Sequence, residues 1–138
     1  MPSKKTIHVT CAIIYFQDKI LVTQRSENMK LPLKWEFPGG KLEDNESEVD
    51  CIKREIKEEI NIEIEVIRKL TNVLYDYGTF IINLIPFVSE HISGEIKLTE
   101  HKDFKLLDKS ELENLDWAAA DLPIIEELLK ESYESRNI

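Results

Sequence analysis

"GGKLEDNESEVDCIKREIKEEI", residues 39–60, is the stretch on which the reading of this chain turns. From position 47 onward Val49, Ile52, Ile56 and Ile60 recur at intervals of three and four, which predicts one buried stripe on an amphipathic helix. Asn45 or Ser47 caps its start, and Asn61 falls where a left-handed residue ends a helix. The same helix holds Glu55, Glu58 and Glu59 on a single turn. Like charges at these spacings destabilise a helix by about 0.2–0.5 kcal/mol per pair. Lys53 and Lys57 offset part of that, and "REIKEEI" by itself is what an ordinary solvated face looks like. A bound divalent cation is the other remedy. Mg²⁺ or Mn²⁺ takes hard oxygen ligands, keeps several waters and completes its shell from substrate phosphates. The Gly39-Gly40 pair ahead of the helix lets backbone approach a ligand closely and offers a carbonyl to a metal.

Strand-like sequence flanks this helix. "TIHVTCAIIYFQDKILVTQR" predicts two strands joined by a tight turn at "QDK". "SENMKLPLK" lacks any period and reads as a loop, and "WEF" as a short strand ended by Pro38-Gly39-Gly40. After the helix, residues 62–90 are rich in β-branched and aromatic side chains and predict two strands of a hairpin or meander, with a turn at Tyr77-Gly78. "HISGE" predicts a further turn and "DFKLL" a last strand. A short helix over "DKSELENL" is capped by Asp108 or Ser110. "DLPIIEELLKESYES" is a C-terminal helix with Asp121 as its N-cap and Pro123 in its first turn. This order of elements predicts an α/β (α+β) fold, a three-layer α/β/α sandwich around a mixed β-sheet, with residues 1–138 as one domain.

Composition narrows the function. The 138 residues carry a formal net charge of -9, which argues against a broad basic surface for DNA, RNA or anionic lipid. A small anionic ligand is compatible, since a divalent cation inverts the local field. No apolar run reaches the roughly 20 residues of a membrane span, and the first residues lack the apolar segment of a secretory signal. Cys11 and Cys51 have no metal-type spacing and read as two reduced thiols. The expectation is a cytoplasmic protein.

The stretch resembles the Nudix box, G-x5-E-x7-R-E-U-x-E-E-x-G-U with U a bulky aliphatic residue. Gly40, Glu46, Arg54, Glu55, Ile56, Glu58, Glu59 and Ile62 fall in place, and Asn61 stands where the pattern has Gly. "WEFPGGK", "TQR", the "EH" at Glu100 and "ADLPII" look like the MutT-type branch. That branch hydrolyses nucleoside triphosphates and includes 8-oxo-dGTP diphosphatases and CTP pyrophosphohydrolases.

The resemblance implies the Nudix fold and a set of roles. Glu58 and Glu59 bind the metal, Mg²⁺ or Mn²⁺ in its place, with Glu55 as a further ligand or as the base that activates water. Gly39 offers its carbonyl to the ion, and Glu100 reaches it from a loop. Glu46 and Arg54 form an ion pair that holds the carboxylates in position. Lys41 lies near the reacting phosphates, and Arg25 also meets phosphate charge. Attack at the β-phosphorus gives a monophosphate and pyrophosphate. Asp121 faces the base: ionised it accepts only, which suits cytosine N4, and protonated it also donates, which suits an oxidised purine. Phe37, Trp35, Phe80 and Trp117 are candidates to enclose the base, with Met29 and Leu33 at the entrance. The implied partner is a small nucleotide, in clean-up of the nucleotide pool, for a monomer or a homodimer. The alternatives are another Nudix substrate, such as ADP-ribose or a dinucleoside polyphosphate, and a nucleotide-binding regulator without turnover.

Overall fold

The computed structural model describes residues 4–136. Eight strands form one mixed sheet: β1 (Lys5–Phe16), β2 (Lys19–Gln24), β3 (Trp35–Glu36), β4 (Gly39–Lys41), β5 (Glu63–Lys69), β6 (Val73–Asp76), β7 (Phe80–Ser93) and β8 (Asp103–Leu107). Helix α1 (Glu48–Ile60) covers one face and α2 (Leu122–Arg136) the other. The three-layer expectation therefore holds. Among the described residues no helix is long and apolar enough to cross a membrane.

Strand β1 is the axis. It pairs in parallel with β7 over Lys5 to Tyr15 and antiparallel with β2 and β4. Its residues Cys11 to Ile14 are all buried because both faces are covered, the pattern of a central strand. Side chains alternate: Cys11 and Ile13 pack towards α2, Ala12 and Ile14 towards α1 with Ile52, Ile56 and Ile60. The sheet thus splits the core into two clusters, and α1 is fixed in register by three isoleucines.

Five expectations change. Gly39-Gly40, expected to end the "WEF" strand, opens strand β4 against β1. Residues 62–90 supply three strands rather than two, with β5 and β6 both pairing with β7. "HISGE" is not all turn, since β7 extends through Ser93 before Gly94 takes a φ of 93°. Val49 is 37% exposed, and its place in the buried stripe goes to Cys51, which is fully buried. Asp121 closes a 3-10 turn over Ala119–Asp121 just before α2, and its carboxylate accepts from the Phe37 N–H instead of a helix N–H. The α1 ends match: Ser47 is the N-cap, its hydroxyl accepting from the Asp50 N–H at 3.1 Å, and Asn61 is left-handed at φ 68°.

Candidate active site

The Gly-Gly pair is needed for space, not for a left-handed turn. Residues 39–41 form β4 against β1, with Cys11 opposite Gly39 and Thr10 opposite Gly40. A Cβ on Gly39 would lie 1.9 Å from the Thr10 carbonyl oxygen, and one on Gly40 would lie 2.2 Å from the Glu55 carboxylate. Bare backbone at these positions is what lets α1 bring Glu55 onto the sheet.

Arg54 organises the carboxylates around it. Its Nε and Nη2 donate to both oxygens of Glu46, at 2.7 and 3.0 Å, a two-point pairing that fixes the guanidinium plane. Its Nη1 donates to Glu55 at 2.9 Å and to Glu58 at 3.1 Å. The Arg54 hydrogen bond holds the Glu46 carboxyl down at about 2, so this pair stays ionised throughout the neutral range. Burial instead pushes the Glu55 carboxyl above the usual carboxylate range, against the pull of Arg54. Burial also raises Glu59, and the charge of Glu100 raises it further.

These groups border a cavity of about 1050 Å³ on the α2 side of β1. Arg25, Phe37, Gly39, Lys41, Glu55, Glu59, Glu100 and Asp121 all line it. Glu46, Arg54 and Glu58 lie behind this lining, and the Glu58 side chain is 57% exposed and turned to Arg54. Of the aromatic candidates, Phe37 and Phe80 line the cavity. Trp35 and Trp117 are core residues: the Trp117 Nε1 donates to the Leu112 carbonyl, and its ring backs Phe37 at 4.9 Å. Met29 borders the entrance, whereas Leu33 does not.

The Asp121 end of the cavity is assembled by the segment before α2. Trp35 N–H donates to the Asp116 carbonyl and Ala118 N–H to the Trp35 carbonyl, both at 2.9 Å, so residues 116–118 lie along β3 like a strand. That fixes Asp121 beneath Phe37, whose N–H donates to Asp121 Oδ2 at 2.8 Å. Burial raises the Asp121 carboxyl well above the ordinary carboxylate range, and the nearby Glu36 charge adds to the shift.

Sequence reasoning missed Glu36 and His101. The Glu36 carboxylate takes the Arg25 Nη1 at 2.8 Å on one oxygen and the His101 Nε2 at 2.9 Å on the other. Both residues stood inside quoted motifs, "WEF" and "EH". The usable signal was period 2: in "WEF", Trp35 and Phe37 flank a charge that had to find partners.

Among the described residues, no three His, Cys, Asp or Glu side chains enclose an ion as they stand. The chemistry of the donors nevertheless fits a hard divalent cation. Glu55, Glu59 and Glu100 present oxygen only and line one cavity, and burial raises Glu55 and Glu59 above the ordinary carboxylate range.

A carboxylate helix behind a glycine strand, on a mixed sheet between two helices, defines a hydrolase of the Nudix type. Residues 4–130 match the NUDIX domain, and the chain belongs to that family. It is 32% identical over 122 residues to the CTP pyrophosphohydrolase of Escherichia coli (strain K12), covering 88% of this chain and 90% of that one. It is 35% identical over 103 residues to the 8-oxo-dGTP diphosphatase of Proteus vulgaris, covering 74% and 90%. The solution structure of the Nudix hydrolase MutT from methicillin-resistant Staphylococcus aureus 252 matches with a TM-score of 0.76 at 43% identity, covering 94% of this chain and 99% of that one. The chain is a Nudix hydrolase of the MutT type, a family that uses divalent metal ions.

Proposed function

We propose that this enzyme is a Mg²⁺-dependent pyrophosphohydrolase of nucleoside triphosphates that prefers an oxidised guanine nucleotide such as 8-oxo-dGTP, releasing monophosphate and pyrophosphate. The observation that carries the base preference is Asp121. Its carboxyl is buried at the cavity wall and shifted towards the neutral form. A neutral Asp121 donates from one oxygen and accepts at the other, where the Phe37 N–H already binds. The oxidised guanine edge presents a carbonyl at C6 and an N–H at N7, one acceptor and one donor. Guanine itself presents two acceptors there. The mismatch leaves a buried polar group unpaired, at about 1–3 kcal/mol.

At the other end, Glu55, Glu58, Glu59, Glu100 and the Gly39 carbonyl are the groups that would hold Mg²⁺. When bound, the ion shields phosphate oxygens and acidifies coordinated water. Glu55 has one oxygen held by Arg54 and keeps Oε2 to take the proton of the attacking water. Glu46 holds Arg54, and Arg54 holds Glu55, so the base is aimed before substrate arrives. Lys41 and the free N–H groups of Arg25 meet phosphate charge along the cavity.

The second reading, a cytosine nucleotide, is favoured by the Escherichia coli relative. It requires Asp121 ionised, which its burial opposes. The test is a panel of 8-oxo-dGTP, dGTP, CTP, dCTP, 5-methyl-dCTP, ADP-ribose and a dinucleoside polyphosphate in Mg²⁺, followed as pyrophosphate, phosphate and monophosphate. The highest kcat/KM for 8-oxo-dGTP with pyrophosphate release is expected. A higher value for CTP, or phosphate release without pyrophosphate, overturns the reading.

A further inference from the structure

The last four carbonyls of a helix have no partner within it. In α1 the Lys57 carbonyl is taken by the Asn61 N–H at 3.0 Å. The other three are taken by one strap, residues 97–102. Lys97 N–H donates to Ile60 O at 2.9 Å, Thr99 N–H to Glu59 O at 3.0 Å, and the Thr99 hydroxyl to Glu58 O at 2.8 Å. The strap is therefore fastened to the peptide groups of the residues that carry the carboxylates. At its far end Lys102 N–H donates to the Gln24 carbonyl of β2 at 2.9 Å.

Between these fastenings stand Glu100 and His101. Glu100 lines the cavity. The His101 side chain is only 3% exposed, and its Nε2 lies 2.9 Å from a Glu36 oxygen. A carboxylate only accepts, so Nε2 carries the proton. The His101 Nδ1 is buried without a hydrogen-bond partner. A purely apolar ring would fill the same space without an orphaned nitrogen, so packing alone does not account for an imidazole here. What the imidazole adds is the bond to Glu36, and Glu36 is itself held by Arg25.

We propose that Thr99 and His101 are positioning residues that hold Glu100 at the carboxylate end of the cavity, anchored on Glu36. The inference rests on the reading of Glu100 given above. His101 sets one side of Glu100 and Thr99 the other, and neither needs to touch substrate. The arrangement also joins the two ends of the cavity, because Glu36 holds Arg25 with its second oxygen.

The experiment is a double-mutant cycle between His101→Phe and Glu100→Gln, read as kcat and KM for the best nucleotide of the panel. His101→Phe alone should lower kcat about 10–100-fold with KM little changed. In the Glu100→Gln background it should cost little more. Mn²⁺ binding to the nucleotide-free protein, followed by electron paramagnetic resonance, should weaken by roughly tenfold or more in His101→Phe. His101→Gln, which keeps a donor, should recover part of both losses. Should His101→Phe not fold, Thr99→Val, which leaves the backbone bonds in place, takes its place in the cycle. Additive losses, or unaltered Mn²⁺ affinity, overturn the proposal alone. Wild-type turnover in Glu100→Gln overturns the role of Glu100 and the proposal with it.

Discussion

Gly40→Ala isolates the link between backbone and catalytic geometry. The new Cβ would lie 2.2 Å from both the Glu55 carboxyl carbon and Oε2, against 3.4 Å for ordinary contact. The carboxylate must move by about 1.2 Å, because β4 is held to β1 on its other side. A flexible side chain can make that move, so the fold should survive with a loss on the order of 1–2 kcal/mol, within the range of overpacking changes. Activity should not survive equally well. A misplacement of about 1 Å at a reacting group costs on the order of 100-fold. The expected result is kcat down about 100-fold with KM little changed. Gly39→Ala is the control with the opposite outcome. Its Cβ meets the Thr10 carbonyl oxygen at 1.9 Å, which is backbone and cannot turn away, so β4 must part from β1. Urea denaturation should show Gly39→Ala as the less stable of the two by a clear margin. Turnover near wild type in folded Gly40→Ala would refute the claim that Glu55 must sit where β4 leaves room for it.

Glu59→Gln should lower kcat by more than the roughly 10–100-fold typical of residues supporting a metal site, while thermal melting without metal stays level or rises through relief of like charge; turnover near wild type in saturating Mg²⁺ would count against Glu59 as a ligand. Arg54→Ala should lower kcat about 10–100-fold by freeing Glu55 and Glu58, and a rise in KM alone would show a direct substrate contact instead. Asp121→Asn should keep 8-oxo-dGTP ahead of dGTP, because the amide, like a protonated carboxyl, donates from one atom and accepts at the other; a loss confined to cytosine nucleotides with a gain for dGTP would show an ionised Asp121 in the wild type, and uniform loss across the panel would reduce Asp121 to a structural role. The same variant carries a stability test. A raised Asp121 pKa means that the folded protein keeps this proton longer than the unfolded chain does. Wild-type stability then falls as pH rises from the ordinary carboxylate range towards the folded value. The melting temperature of Asp121→Asn relative to wild type should therefore climb over that span, and a pH-independent difference would contradict it.

What the sequence made legible was local. The α1 stripe, the Ser47 and Asn61 ends and strands β1 and β2 follow from periodicity and from residue types whose preferences act within a few positions. Strand β4 was not legible, because Gly39-Gly40-Lys41 has no strand propensity and pairs only because β1 lies beside it. Val49 and Cys51 traded places because a stripe read every third or fourth residue fixes the helical face only to within one position. Asp121 shows the same limit at longer range. Asp before Leu-Pro is a sound capping signal, but a backbone N–H 84 residues away competes for the same carboxylate and wins. The site residues inside the box could be placed from their spacing. Arg25 lies 11 positions from Glu36 and His101 lies 65 from it, so the alternation in "WEF" marks Glu36 as a charge in need of partners without saying which they are.

The cavity has to keep carboxyl groups in opposite states within one volume. On the proposed reading they are charged at the phosphate end, and Asp121 at the base end is neutral. The protein does this by where Arg25 and Arg54 go. Arg54 gives its two-point pairing to Glu46, which is not in the lining, and reaches Glu55 and Glu58 with the remaining nitrogen. Glu55, which faces the cavity, is thus oriented by a single donor, which leaves charge there for a cation. Arg25 stands near Asp121 yet bonds Glu36. A direct Arg25–Asp121 pair would hold Asp121 ionised and turn the base end into an acceptor-only surface. With Arg25 on Glu36, the residual negative charge of Glu36 acts on Asp121 in the other direction and favours its proton. Glu36→Gln should for that reason shift Asp121 towards the ionised form and move the preference from 8-oxo-dGTP towards cytosine nucleotides. Base choice would then be set by a residue that need not touch the base.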